Sequence, residues 1–173
     1  MNLAYTMTET PGDLDQVLFS LAELLARKGL KTVGLVQVNT DRADCHPCDM
    51  DVSVLPDGPT IRISQFLGKE AKGCRLDPAA LEVAVAEVGK RLSPDVDVLI
   101  INKFGKHEAD GRGFRDTIAE ALSLGIPVIA GVNAMNREAF MAFSGGVAVS
   151  VAPVPDTLAA WLDGARSTPA EVA

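Results

Sequence analysis

Three observations in the 173-residue sequence predict an α/β fold built on a mostly parallel sheet with helices on both faces. Apolar strand-like runs alternate with segments of helical period. The links between them are short, as in chains that wind back and forth across a parallel sheet. The run "DVLIIN" at 97–102 is almost continuously apolar, the pattern of a strand covered on both sides.

The elements follow in order. Residues 2–7, "NLAYTM", read as a first strand. In 13–29, Leu14, Val17, Leu18, Leu21, Leu24 and Leu25 share one helical face, and Gly29 closes the helix. Residues 31–38, "KTVGLVQV", form a second strand. Between 48 and 66 two short alternating segments, "DMDVSVL" and "TIRISQF", flank the turn "PDGP" and predict an inserted β-hairpin. Asp77 as N-cap and Pro78 at the first helical position open a helix over 77–93. After the strand at 97–102 come a helix over 113–125, a strand over 127–132, a helix over 136–145, a strand over 146–151 and a helix over 155–166. Residues 1–166 thus form one domain, and 167–173 a small, polar tail that frays.

Composition narrows the function. Hydrophobic residues make up 47% and charged residues 23%, which is the balance of a globular chain. A net charge of −7 argues against nucleic acid as a partner, because a phosphate backbone needs a broad basic face. No apolar run approaches the ~20 residues of a membrane span. The N-terminus lacks a cationic segment followed by an apolar one, so a cytoplasmic protein is expected. An edge strand or the hairpin could support a homodimer.

Against that acidic background, "NKFGKHEADGRGFR" (102–115) gathers Lys103, Lys106, Arg112 and Arg115 in a glycine-containing loop after the 97–102 strand. Ligands of open parallel sheets lie beyond the carboxyl ends of the strands. Backbone amides at a helix start carry partial positive charge, and arginine can grip an oxyanion through two parallel hydrogen bonds. Gly111 and Gly113 would let the backbone come close to a ligand. "GCRLDP" (73–78) repeats the arrangement with Arg75 before a capped helix. The two helix starts could converge on one small anionic ligand. The alternative is a solvated surface balanced by Glu108 and Asp110. His107, in this charged loop, reads as a surface residue.

Two other features bear on chemistry. After the first strand, a nucleotide-binding P-loop would read G-x-x-x-x-G-K-[ST]. Here "TMTETPGDLDQ" offers Gly12 but no lysine, and Glu9, Asp13 and Asp15 would repel a triphosphate. Asn102 stands where such an enzyme places its Mg²⁺-binding carboxylate, and a neutral amide is a poor sole ligand for a hard cation. Ordinary ATP or GTP hydrolysis is therefore not expected. Cys45, His46 and Cys48 form a C-x₂-C pair with an included histidine, and Cys74 follows. Together these could hold zinc; otherwise the cysteines are loop thiols and a small core residue.

"DVLIINKFGKHEADGRGFRDTIAEALSLGIPVIAGV", with "GLVQVN", "CDMDV", "RISQFLG" and "GCRLDP", resembles an uncharacterised bacterial family, a domain of unknown function. Its members are often found near molybdenum-transport genes, and some carry a transferred label of molybdenum ABC-transporter ATP-binding protein. The resemblance covers about residues 3–150. That family is similar in turn to small nucleoside-triphosphatases of the P-loop class, which implies a P-loop-like fold with a degraded phosphate loop. It also implies a link to molybdate or a nucleotide as ligand. A transporter ATPase needs a phosphate loop and a signature motif, and this chain has neither. Molybdate, a small tetrahedral dianion, suits Arg75, Lys103, Lys106, Arg112 and Arg115. Three functions compete: a non-hydrolysing binder of an oxyanion or phosphorylated ligand, with an accessory or sensor role; a divergent nucleotide phosphohydrolase or phosphotransferase; and a cysteine-based metal-binding module.

Overall fold

A computed structural model describes residues 2–10, 12–40, 49–65 and 75–167. Seven strands form one sheet in the order β4-β3-β2-β5-β6-β1-β7. The strands are β1 (Leu3–Thr6), β2 (Thr32–Thr40), β3 (Asp49–Leu55), β4 (Thr60–Arg62), β5 (Val98–Phe104), β6 (Val128–Val132) and β7 (Val149–Ser150). The β2-β5-β6-β1-β7 portion is parallel throughout. The inserted hairpin extends it on one side, with β3 antiparallel to β2 and β4 antiparallel to β3. A fork from Arg62 to Asp51, at 2.9 and 3.2 Å, ties the two hairpin strands together.

The helices divide between the two faces as the apolar patterns require. On one face, Leu14, Leu18, Leu21 and Leu25 of α1 (Asp13–Arg27) pack with Leu158 and Leu162 of α6 (Pro155–Ser167) against Ala4, Ile100 and Ile129. On the other, α2 (Pro78–Gly89), α4 (Arg115–Ser123) and α5 (Arg137–Phe143) bury Leu81, Ile118 and Phe140 against Leu3, Leu99 and Ile101. Phe104, Phe140 and Phe143 form a ring cluster on that face, with centroids 5.1 to 6.5 Å apart. Burial of these two apolar layers is the main force holding the sheet between its helices.

Several boundaries differ from the sequence expectation. β5 runs two residues further, to Phe104, because that side chain has an aromatic pocket to fill. Its pairing with β6 shifts register between Ile101 and Phe104. The basic loop holds a short helix, α3 (Lys106–Ala109), and α4 starts at Arg115 and not at Gly113. The helix expected over 77–93 ends at Gly89, and the strand expected over 146–151 pairs only at Val149 and Ser150. Asp77 caps α2 as its position predicts, accepting from the amides of Ala79 and Ala80 at 2.9 and 3.2 Å.

Candidate functional site

Parallel strands bring the loop after β1, the loop after β5 and the start of α2 to one rim of the sheet. Two centres form there.

The first centre lies where a phosphate cradle would sit. Gly12, at φ +92°, precedes α1 and turns the chain into it, so the strand-turn-helix geometry survives. Counting the motif back from Gly12 puts Asp13 at the lysine position and Leu14 at the Ser/Thr position. Leu14 is buried in the core. Asp15, in the next position, is only 5% exposed and turns inward. Its Oδ1 accepts from Asn102 Nδ2 at 2.8 Å and its Oδ2 from Asn39 Nδ2 at 2.8 Å, with a longer contact from Gln37 Nε2 at 3.4 Å. Asn102 in turn accepts the Gln37 backbone N–H at 3.0 Å, and Gln37 Nε2 donates to Asn39 Oδ1 at 2.8 Å. Lys103 Nζ lies 3.9 Å from Asp15 Oδ1.

A carboxylate on α1 is thus hydrogen-bonded to an amide on β5, the reverse of a cation on the helix facing a carboxylate on the strand. A buried carboxylate held this way satisfies its own lone pairs and adds negative charge where a nucleotide would bring more. Behind Asn102, a Cβ on Gly131 would overlap the Asn102 carbonyl, so β6 can approach β5 only as glycine there.

The second centre is a concavity of about 570 Å³ between the starts of α2 and α4. Pro78, Ala79 and Glu82 line it from α2, and His107, Gly111, Arg112, Gly113, Arg115 and Asp116 from the loop and α4. The two helix starts therefore do face each other. Of the residues expected to bind a ligand, Gly111, Arg112, Gly113 and Arg115 line this concavity, whereas Asn102, Lys103 and Lys106 do not. Arg75 also stays outside: it lies in the short pairing of Ser64 with Leu76, its carbonyl accepting from the Gln65 N–H at 2.7 Å.

The amides do not point outward as the sequence suggests. Gly113 N–H donates to Glu82 Oε1 at 3.2 Å, and Phe114 N–H to Glu108 Oε1 at 3.3 Å. Two carboxylates already sit where an anion would meet these donors. Glu108 is 2% exposed and also takes the Gly105 N–H at 2.8 Å, so one side chain clamps both ends of the loop. Gly113 is required by that clamp: its φ is +63°, and a Cβ would overlap Glu108 Oε1.

His107 is buried and not a surface residue, as its charged neighbours had suggested. Its Nε2 lies 2.5 Å from Glu82 Oε1. Arg115 is anchored, donating to the Glu108 carbonyl at 3.3 Å with its guanidinium 4.5 Å from the Phe143 ring centre. Arg112 is looser, at 3.9 Å from Asp110 and with its side chain 60% exposed. Cys45, His46, Cys48 and Cys74 lie outside the described residues. Among the described residues, no group of three or more His, Cys, Asp or Glu side chains could hold a metal ion.

Sequence reasoning undervalued Asp15 and Glu82. Asp15 carried a signal: it falls on the stripe with Leu18, Ala22 and Leu25, and a charge on an apolar stripe is a candidate buried group. Glu82, in the second turn of α2, carried none.

The sheet order and the helices on its two faces define an α/β protein with a mostly parallel seven-stranded sheet. Two solved structures share this fold. A human cancer-related nucleoside triphosphatase matches with a TM-score of 0.69 and 15% identity, over 97% of this chain and 99% of that one. THEP1 from the hyperthermophile Aquifex aeolicus matches with a TM-score of 0.62 and 15% identity, over 95% and 96%. Residues 3–161 match the model of a family described as a protein of unknown function (DUF2478), and the chain belongs to that family. A curated relative, the molybdenum import ATP-binding protein ModC 2 of Bradyrhizobium diazoefficiens, is 38% identical over 149 residues. Those residues are 86% of this chain and 17% of the relative, so the chain spans about a sixth of that protein's length. Among the described residues, no helix is long and apolar enough to cross a membrane.

Proposed function

We propose that this chain is a non-hydrolysing protein of P-loop architecture that binds a small, molybdate-like oxyanion or the oxyanion end of a phosphorylated ligand, in an accessory or sensor role. The observation that carries the proposal is the placement of the arginines. The cradle position holds Asp15 bonded to Asn102, while Arg112 and Arg115 both reach the concavity between α2 and α4, beside Glu82 and Asp116. Arg115 is held in place and Arg112 has room to close on a ligand, an arrangement suited to a fork-like grip on an oxyanion. The name of the Bradyrhizobium relative supports a connection with molybdenum, but the import activity of that longer protein is not carried over.

Isothermal titration with molybdate, tungstate, phosphate, ADP and ATP tests this. At least one oxyanion or phosphorylated compound should bind below millimolar concentration, and Arg112→Ala should weaken it by about tenfold or more, the usual worth of a charge-assisted hydrogen bond. If none of the five binds in that range, the proposal fails.

A second function, a divergent nucleotide phosphohydrolase, is favoured by one contact. His107 and Glu82 form a close pair in the concavity beside Arg112, where a histidine-carboxylate couple could move a proton. It requires Mg²⁺-dependent phosphate release from some nucleotide, lost in Arg112→Ala. A metal role for Cys45, Cys48 and Cys74 is tested by elemental analysis of untagged protein.

A further inference from the structure

We infer that the ligand of the α2–α4 concavity is a phosphate ester carrying hydroxyl or N–H donors, of nucleoside-monophosphate size, and not a bare tetrahedral dianion. This rests on the proposal that the concavity binds an oxyanion, and it selects among the ligands which that proposal allows.

Arg112 and Arg115 line the concavity, but so do Glu82 and Asp116. Two positive groups face two negative ones, so the walls are not an anion trap but a surface of mixed sign. A fully ionised oxyanion such as molybdate or sulfate offers acceptors only. It can satisfy the guanidinium groups, yet every oxygen turned towards Glu82 or Asp116 meets a carboxylate that also only accepts.

Glu82 sharpens this. Both of its hydrogen bonds, from His107 Nε2 and from Gly113 N–H, fall on Oε1. Among the described residues Oε2 has no hydrogen-bond partner, on a side chain that is 48% exposed and lines the concavity. His107, only 6% exposed, fixes that carboxylate in place, so the acceptor is positioned and not merely present. A ligand bearing an O–H or N–H can donate to Oε2, and a bare dianion cannot. Asp116, on the first turn of α4, adds a second acceptor from the other side of the concavity.

Size points the same way. A volume of about 570 Å³ lies within the roughly 300–1,000 Å³ of pockets that hold whole organic ligands, and a single tetrahedral ion would leave most of it to water. The phosphate end is placed on Arg112 and Arg115, and the hydroxyl-bearing remainder reaches along α2 to Glu82. Sites that hydrogen-bond a ligand's O–H discriminate strongly against analogues lacking it, because their own polar groups are then left unpaired.

The test is a titration of the intact chain at pH 7.5 with ribose 5-phosphate, AMP, inorganic phosphate, sulfate and molybdate. In the wild type, at least one ester should bind about tenfold or more tightly than sulfate and molybdate. In Glu82→Gln, which keeps an oxygen for His107 and Gly113 but loses the charge, the two dianions should tighten until that gap falls below about threefold. Molybdate or sulfate binding the wild type as tightly as the esters would overturn the inference and leave the oxyanion proposal standing. An unchanged gap in a folded Glu82→Gln would overturn it too. No binding by any compound would remove the underlying proposal with it. The wild-type comparison decides the matter if the variant does not fold.

Discussion

Replacing Asn102 by Asp probes the buried polar network most sharply. The Asn102 amide donates to Asp15 at 2.8 Å within the core side of the sheet rim, and Asn102 itself is 1% exposed. The substitution keeps the acceptor for the Gln37 N–H but sets a carboxylate against a carboxylate. Two like charges about 4 Å apart repel by roughly 4 kcal/mol at the effective dielectric of about 20 that suits such sites. The lost amide-to-carboxylate hydrogen bond adds about 1.5–3 kcal/mol. The protein can limit the damage by holding a proton on the introduced group, which costs about 1.4 kcal/mol for each pH unit above its ordinary value near 3.9. At pH 7.5 the cheaper course is to hold the proton, and the net loss should therefore be about 5 kcal/mol. For a chain of this size that lowers Tm by roughly 10–20 °C, at 2–4 °C per kcal/mol.

The sign with pH follows. A carboxyl whose folded pKa is raised contributes stability below its ordinary range and loses it as pH rises. The Asn102→Asp deficit should thus shrink towards pH 4.5 and be largest near pH 8. The exchange Asp15→Asn/Asn102→Asp gives a control, because the amide then sits on α1 and the carboxylate on β5 with the same number of donors and acceptors. It should recover most of the stability. Urea melts at pH 4.5 and 8, read by circular dichroism, measure all three. If Asn102→Asp is as stable as wild type at pH 8, or if the exchange is no better than the single change, the hydrogen bond between Asn102 and Asp15 does not hold this network together.

Further outcomes are expected elsewhere. Gly113→Ala forces a side chain into left-handed backbone and into Glu108, so it should cost about 2–4 kcal/mol and loosen the loop, seen in a thermal melt and in faster amide exchange at Phe114. The single tyrosine, Tyr5, has its phenol pKa lowered from 10, first by a hydrogen bond from the Ser150 hydroxyl and then by Arg137, against the opposing effect of burial. Absorbance titration should give a midpoint below 10 that rises in Ser150→Ala; an unchanged midpoint would contradict the contact. Asp95 is drawn down to about 2, chiefly by its hydrogen bond from Lys31 at 2.7 Å, and then by Ser93. Its contribution should be complete above the ordinary value of 3.8 and be lost progressively as pH falls from there through about 2. Lys31→Met should return its carbon-13 titration towards 3.8.

The layered fold was legible because each apolar run has one period and one partner. Leu14, Leu18, Leu21 and Leu25 announce a helix, Val98 to Ile101 a doubly covered strand, and Asp77 with Pro78 a helix start. The site was legible in part. Glycine and arginine spacing pointed to the loop after β5, and Arg112 and Arg115 do meet the start of α2. What spacing could not supply was pairing across the chain. Asp15 finds Asn102 87 residues away, and His107 finds Glu82 25 residues away. Such contacts depend on how helices pack on the sheet, and a charged residue alone does not say which carboxylate will turn inward to meet it. The same packing explains why the helix-start amides, expected to face a ligand, are taken by Glu82 and Glu108.

On the function proposed above, the anion site lies in the concavity between α2 and α4 and not in the loop after β1. Backbone amide shifts during titration with AMP, and separately with ATP and Mg²⁺, locate the site directly. The account predicts shifts centred on Gly111–Asp116 and Ala79–Glu82, with Thr8–Leu18 unmoved. Shifts centred on Thr8–Gln16, with the α2–α4 residues silent, would contradict it.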